Sequence, residues 1–144
     1  MESPNYVIKQ ISVFSENKPG RLAAIAKALQ VEKINILAFS IAESDGFGVV
    51  RALVDNPEKA FEKLSTLGFN VAFTDVIAVK MKDEPGGLYD IARILGDWMI
   101  NIEYCYAYSG KDAAVLILRV DNVDAAITAI RKGGGTLLES SLFQ

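Results

Sequence analysis

Pro19-Gly20-Arg21-Leu22-Ala23-Ala24-Ile25-Ala26-Lys27-Ala28-Leu29 returns later in the chain as Pro85-Gly86-Gly87-Leu88-Tyr89-Asp90-Ile91-Ala92-Arg93-Ile94-Leu95, an offset of 66 (85 − 19). What persists is Pro-Gly-x-Leu-x-x-Ile-Ala-x-x-Leu. At the same offset Ile34-Asn35-Ile36 becomes Ile100-Asn101-Ile102, and Val54-Asp55-Asn56 becomes Val120-Asp121-Asn122, without a gap. Ile11 and Val13 match Ile77 and Val79, Ala60 matches Ala126, and Gly68 matches Gly134. A fixed period of this kind marks a duplicated unit. The chain reads as two tandem domains, 1–72 and 73–144, joined near residues 70 to 75 by a strand-like stretch without a Pro-rich or Ser-rich spacer.

Within the first copy, residues 6 to 14 are β-branched and aromatic and predict a strand. Pro19 and Gly20 open a helix whose Leu22, Ile25, Ala26 and Leu29 share one face. The runs 34–43 and 47–54 flank Ser44-Asp45-Gly46, a hairpin signal. Asn56-Pro57-Glu58 supplies a cap, a first-turn proline and an acidic first turn for a second helix that stops at Gly68. Residues 70 to 74 make a last short strand. The second copy repeats the order from Val76 through Asp112 to about Leu142, its final helix ended by Gly133-Gly134-Gly135. The order β-α-β-β-α-β, twice over, predicts an α+β fold of two tandem ferredoxin-like domains, each an antiparallel sheet with helices on one face. Val50, Ala52 and Val54, and Ala114, Leu116, Leu118 and Val120, form the faces under the helices. Phe47, Val49, Leu53, Leu37, Phe39 and Ile41 put apolar residues on both sides of the first sheet, and with units this small they predict a homodimer or larger assembly.

Composition narrows the function. With 144 residues, 51% of them hydrophobic, 23% charged and a net charge of −3, the chain is a packed protein and not a disordered one. The acidic balance opposes nucleic-acid binding. No run approaches the roughly 20 apolar residues of a membrane helix, and residues 1 to 5 lack a signal-peptide pattern. The absence of His and the single cysteine, Cys105, remove His-based triads, a disulfide within the chain and the usual metal sites. Neither a metal nor a cofactor is expected, and one thiol fits a reducing cytoplasm.

Two loops remain as candidate sites: Ser15-Glu16-Asn17-Lys18-Pro19-Gly20-Arg21-Leu22 and Met81-Lys82-Asp83-Glu84-Pro85-Gly86-Gly87-Leu88. Each enters a helix, where main-chain amides and the positive end of the dipole suit a small carboxylate. The same Pro-Gly also reads as a plain helix start.

Asn17-Lys18-Pro19-Gly20-Arg21-Leu22 with Ile34-Asn35-Ile36, and the second copy's Pro85-Gly86-x-Leu88 with Asn101-Ile102, resemble the ACT domain, a regulatory module of amino-acid metabolism. The resemblance spans roughly residues 6 to 142. It implies an allosteric, non-catalytic receptor that regulates amino-acid metabolism or transport by binding a free amino acid between domains. The loop of one domain and the second-strand start of a neighbour hold the ligand. Carried over by position, the ligand-binding residues are Ser15, Asn17, Lys18, Gly20, Arg21, Leu22 and Asn35 in the first copy. In the second they are Met81, Asp83, Gly86, Gly87, Leu88 and Asn101. An asparagine amide both donates and accepts, which suits a zwitterion. Asp83 stands where Asn17 would be, and its carboxylate favours an ammonium but repels a carboxylate. Asn35 and Asn101 also read as strand-start punctuation. The partner that such a receptor regulates is unknown.

Tyr104, Tyr106 and Tyr108 alternate, placing three phenols on one strand face, with Tyr89 and Trp98 nearby in sequence. They suit an aromatic pocket or interface packing. Arg51 and Arg119 read as surface charges or ion-pair members, and Cys105 as a buried small hydrophobe. Two further functional classes stay open. One is an adaptor of the same fold without a ligand; the other is a small enzyme using Glu103, Tyr104 and Cys105.

Overall fold

The computed structural model describes residues 4–109 and 113–143. Two compact units emerge, one of 9–74 and one of 75–142 joined by 4–8. In the first, β1 (Ile8–Glu16), α1 (Arg21–Val31), β2 (Ile36–Ser44), β3 (Phe47–Val54) and α2 (Pro57–Thr66) lead into β4 (Asn70–Met81). The strand order is β2-β3-β1-β4, and β1 and β2 each pair antiparallel with β3. This is the split βαβ sandwich expected from the element order. Ile11 and Val13 of β1, Val50, Ala52 and Val54 of β3, Ile25 and Leu29 of α1, and Ala60 and Leu64 of α2 close one apolar core. Truncating a fully buried leucine there, such as Leu64, costs roughly 2–5 kcal/mol.

The second unit repeats the plan: the later part of β4, then α3 (Gly87–Asp97), β5 (Ile102–Ser109), β6 (Ala114–Val120) and α4 (Val123–Lys132). Strand β6 pairs antiparallel with both β4 and β5. Its core sets Ile77, Val79, Leu116, Leu118 and Val120 against Ile91, Leu95, Ala126 and Ile130, largely the duplicated positions of the first core. Tyr6 packs against this second core, with the Arg131 guanidinium 5.7 Å from its ring centre. The join between the copies is no loop. The last strand of one and the first of the other are the single strand β4.

Local chemistry explains the boundaries. Asn56 and Asn122 cap α2 and α4 by accepting from Lys59 N–H (3.2 Å) and Ala125 N–H (3.1 Å). Helices α1 and α3 stop without glycine. Lys33 and Met99 both take φ 58, and Ile34 and Ile100 donate back to Leu29 and Leu95, each at 2.9 Å. This six-to-one closure holds Ile34 in the helix stop, so β2 begins at Ile36 and not at the expected Ile34. Strand β1 likewise runs two residues later than the sequence suggests at each end. The second copy's last strand is reduced to a bridge between Leu137 and Val79, followed by a 3-10 turn over Ser140–Phe143. Asp112, within the repeated span, lies outside the described residues.

Two readings are corrected by register. A bulge between Ile36 and Ala38 sets Phe39 opposite Ala52 and Ile41 opposite Val50, so both face the helix side of the sheet. A matching bulge between Ile102 and Tyr104 puts Cys105 opposite core Leu118. Cys105 is exposed all the same, and β5 is the last strand in the strand order. Tyr104, Tyr106 and Tyr108 share the other face, half-buried.

Candidate functional site

The Pro-Gly helices differ from their neighbours at the start. Gly20 (φ 90) and Gly86 (φ 91) occupy the N-cap positions of α1 and α3 in the left-handed region, and no side chain caps either helix. Glycine is favoured at both places, since a Cβ there meets open space but strains the left-handed backbone. Arg21 N–H and Gly87 N–H are taken by Lys18 O and Glu84 O (3.1 Å each), and for the first-turn amides that follow, at the end of a helix dipole, a carboxylate is the natural acceptor.

In the first copy, main-chain bonds shape the loop: Asn17 N–H donates to Gly46 O (2.8 Å), and Arg21 N–H to Lys18 O (3.1 Å). The Asn17 side-chain amide donates to Glu43 Oε2 (3.1 Å), and Ser15 Oγ donates to Glu16 O (3.1 Å). Lys18 Nζ lies 2.7 Å from Glu16 Oε2, and this bond and charge hold the Glu16 carboxyl below its usual range. Ser15, Asn17, Arg21 and Leu22 line a recess of about 20 Å³, completed by Ile25, Ile41 and Val50.

In the second copy, Met81, Asp83 and Gly87 wall a larger cavity of about 660 Å³ with Lys82 and Glu84. Its far side is the glycine run 133–135, held near β4 by Lys80 N–H donating to Thr136 O (2.8 Å). Lys80, Lys82 and Arg93 line it together with Asp83, Glu84 and Asp90, a mixed-charge lining suited to a dipolar molecule. Arg93 also pairs with Asp97 at 3.3 Å. Gly87 is indispensable to this loop, because a Cβ would sit 2.0 Å from Lys82 O. Leu88 is half-exposed.

Asn35 and Asn101 are exposed and placed alike. Asn35 N–H donates to Asp55 Oδ1 (3.0 Å) and its carbonyl accepts from Asp55 N–H (3.1 Å). Asn101 and Asp121 repeat this at 3.1 and 3.2 Å. The structure does not bring either asparagine to its own loop. Ser15 pairs with Gly48 while Ile36 pairs with Val54, so loop and asparagine lie the length of β3 apart, roughly 20 Å at about 3.3 Å per residue. Met81 opposite Ala114 and Ile102 opposite Val120 separate the second pair in the same way.

Sequence reasoning missed Glu43, Asp55, Asp121 and the cavity-lining role of Gly133-Gly134-Gly135. The two aspartates were visible in the repeated Val-Asp-Asn. Glu43 has no such signal, since its repeat counterpart is Ser109. Arg119 is an ion-pair member, with Nε 3.3 Å from Glu103 Oε1 and a guanidinium N–H donating to Asp75 O (2.8 Å). Among the described residues no group of acidic, His or Cys side chains is placed to hold a metal, and no helix is long and apolar enough to cross a membrane.

The curated proteins contain no match to the chain. Among solved structures it resembles protein BT0572 from Bacteroides thetaiotaomicron, with 35% identity, a TM-score of 0.91 and 96% of each chain covered. It also resembles the ligand-free regulatory subunit of aspartate kinase from Thermus thermophilus, with 15% identity, a TM-score of 0.64, and 88% of this chain and 93% of that one covered. The corresponding subunit from Thermus flavus has 13% identity and a TM-score of 0.60, over 92% of this chain and 99% of that one. The sequence pattern of the ACT domain pair matches residues 6–137. With both copies of the fold inside that match, the chain belongs to the family of ACT domain pairs.

Proposed function

We propose that the protein is a non-catalytic receptor for a free amino acid and that occupancy regulates a partner in amino-acid metabolism or transport. The observation that carries this reading is the duplicated, side-chain-uncapped Pro-Gly helix start, a carboxylate acceptor site in each copy. Charges of both signs stand beside each loop, as a zwitterion requires: Glu43 near Asn17 and Arg21 in one copy, Asp83 and Glu84 near Lys82 in the other. The regulatory subunits of aspartate kinase that share the fold support a regulatory role by analogy of fold alone.

A free amino acid is too short to span the roughly 20 Å from loop to asparagine within one copy. The ligand is therefore held by the loop of one domain and by Asn35 or Asn101 of a neighbouring domain, and a homodimer with closed two-fold symmetry is the assembly expected to supply that neighbour. The test is a thermal-shift screen of the proteinogenic L-amino acids on the full chain. A true ligand at about 100 times its dissociation constant adds roughly 2.7 kcal/mol of stability. A screen in which no amino acid raises the melting temperature overturns the receptor reading.

A further inference from the structure

We infer that the first copy selects an amino acid with an aliphatic side chain of about four carbons, received in a dry trough between α1 and β2; the inference rests on the receptor reading. The trough is a cavity of about 130 Å³ lined only by apolar side chains, among them Val13, Leu22, Ile25, Leu29, Phe39 and Val50. Water entering it finds no polar partner, so an apolar group is its favourable occupant. The volume is slightly below the roughly 150 Å³ of an apolar cavity that takes up a benzene ring, which suits a small branched aliphatic group such as isobutyl or sec-butyl.

Position ties the trough to the loop. The recess beside Ser15, Asn17 and Arg21 shares Leu22, Ile25 and Val50 with the trough, so the two lie side by side. A ligand whose carboxylate meets the α1 amides and whose ammonium meets Glu43 has its side chain beside this opening. The bulge in β2 makes the arrangement by turning Phe39 and Ile41 to the helix side, where Phe39, 54% exposed, banks the trough and Ile41, 42% exposed, lines the adjoining recess. The second copy carries Cys105 and Ala107 at the repeat positions of Phe39 and Ile41, a smaller and less apolar bank. The selectivity therefore belongs to the first copy.

The experiment is calorimetric titration of the full chain with L-leucine, L-isoleucine, L-valine, L-alanine, L-serine, L-aspartate and L-lysine. It is repeated on Ala26→Leu, which adds bulk to the trough wall from an exposed helix position, on Phe39→Ala, and on Ala92→Leu, the repeat counterpart of Ala26. Leucine or isoleucine is expected to bind at least about tenfold more tightly than serine or alanine, since one methylene in an apolar pocket discriminates by roughly 10–200-fold. Ala26→Leu should weaken leucine at least tenfold, Phe39→Ala should narrow the preference, and Ala92→Leu should leave leucine affinity unchanged. A serine, aspartate or lysine preference overturns the inference while leaving the receptor reading intact. So does leucine binding that ignores Ala26→Leu or is lost in Ala92→Leu. If Ala26→Leu shifts the sedimentation coefficient but not leucine affinity, the trough is an interface between copies and the inference falls. Absence of binding by every amino acid overturns the receptor reading itself.

Discussion

Asp55 holds the main chain of Asn35 at two points: its carboxylate accepts from Asn35 N–H at 3.0 Å, and its own N–H donates to the Asn35 carbonyl at 3.1 Å. Asp121 and Asn101 reproduce the contact in the second copy. Each clasp fixes the start of an edge strand to the end of its neighbour. The clasp grips the asparagine by its backbone atoms, so its side chain is not what anchors the turn.

Asp55→Ala should therefore lower stability by roughly 1 kcal/mol, the ordinary value for a bond exposed to water. Asp55→Asn retains an acceptor oxygen and should lose less. The same ranking is expected for Asp121→Ala and Asp121→Asn, read from thermal midpoints. Equal losses from the two substitutions at each position would contradict the clasp.

Asn35→Ala and Asn101→Ala should leave the unliganded melting temperature almost unchanged, because the atoms bonded to Asp55 and Asp121 remain. Under the receptor reading they should weaken the response to the ligand by roughly 1.5–3 kcal/mol, the worth of a hydrogen bond to a charged group. Normal ligand responses in both variants would displace the site from these asparagines.

The repeat and the element order were legible because duplicated apolar positions, Pro-Gly starts and Asn caps are local signals that survive in one sequence. Register was not. The β2 bulge that turns Phe39 and Ile41 toward α1 leaves no mark in an unbroken apolar run, and a one-residue change moves every side chain beyond it to the other face. Cys105 was misread for a related reason: alternation gives a face, but only the strand order tells that the strand is the last of the sheet. The candidate loops could be found from Pro-Gly. Their roughly 20 Å separation from Asn35 and Asn101 depended on strand pairing, which a single sequence does not specify.

Acid should weaken the first unit through two carboxylates. Lys18 holds Glu16 below its ordinary 4.5, while Glu58 is lowered first by its own backbone amide and then by Lys9, 3.2 Å away. Both folded-state values are depressed, so their stabilisation is present above pH 4.5 and is lost as pH falls through the lower folded values. Exposure and salt screening keep each contribution small. Melting temperatures between pH 6 and pH 3 should fall less steeply for the double variant Glu16→Gln, Glu58→Gln than for the natural chain. Parallel curves would remove these pairs from the account.

Gly87→Ala should be the most damaging single-methyl change in either loop. The added Cβ would lie 2.0 Å from Lys82 O and 3.1 Å from Lys82 C, atoms of backbone that cannot rotate aside as a side-chain end can. Relief requires the 82–84 segment to swing away from α3, at a cost of roughly 2–3 kcal/mol, and that segment walls the second cavity. Gly86→Ala meets open space but keeps φ 91, so its cost should be the left-handed penalty of roughly 1–2 kcal/mol. Arg21 occupies the repeat position of Gly87 in the first copy, and Arg21→Ala should stay within about 0.5 kcal/mol of the natural chain. Thermal unfolding of the three variants ranks them directly. A Gly87→Ala protein as stable as Gly86→Ala would mean that the Lys82 carbonyl does not close on α3, and that the second copy's loop follows the first copy's course after all.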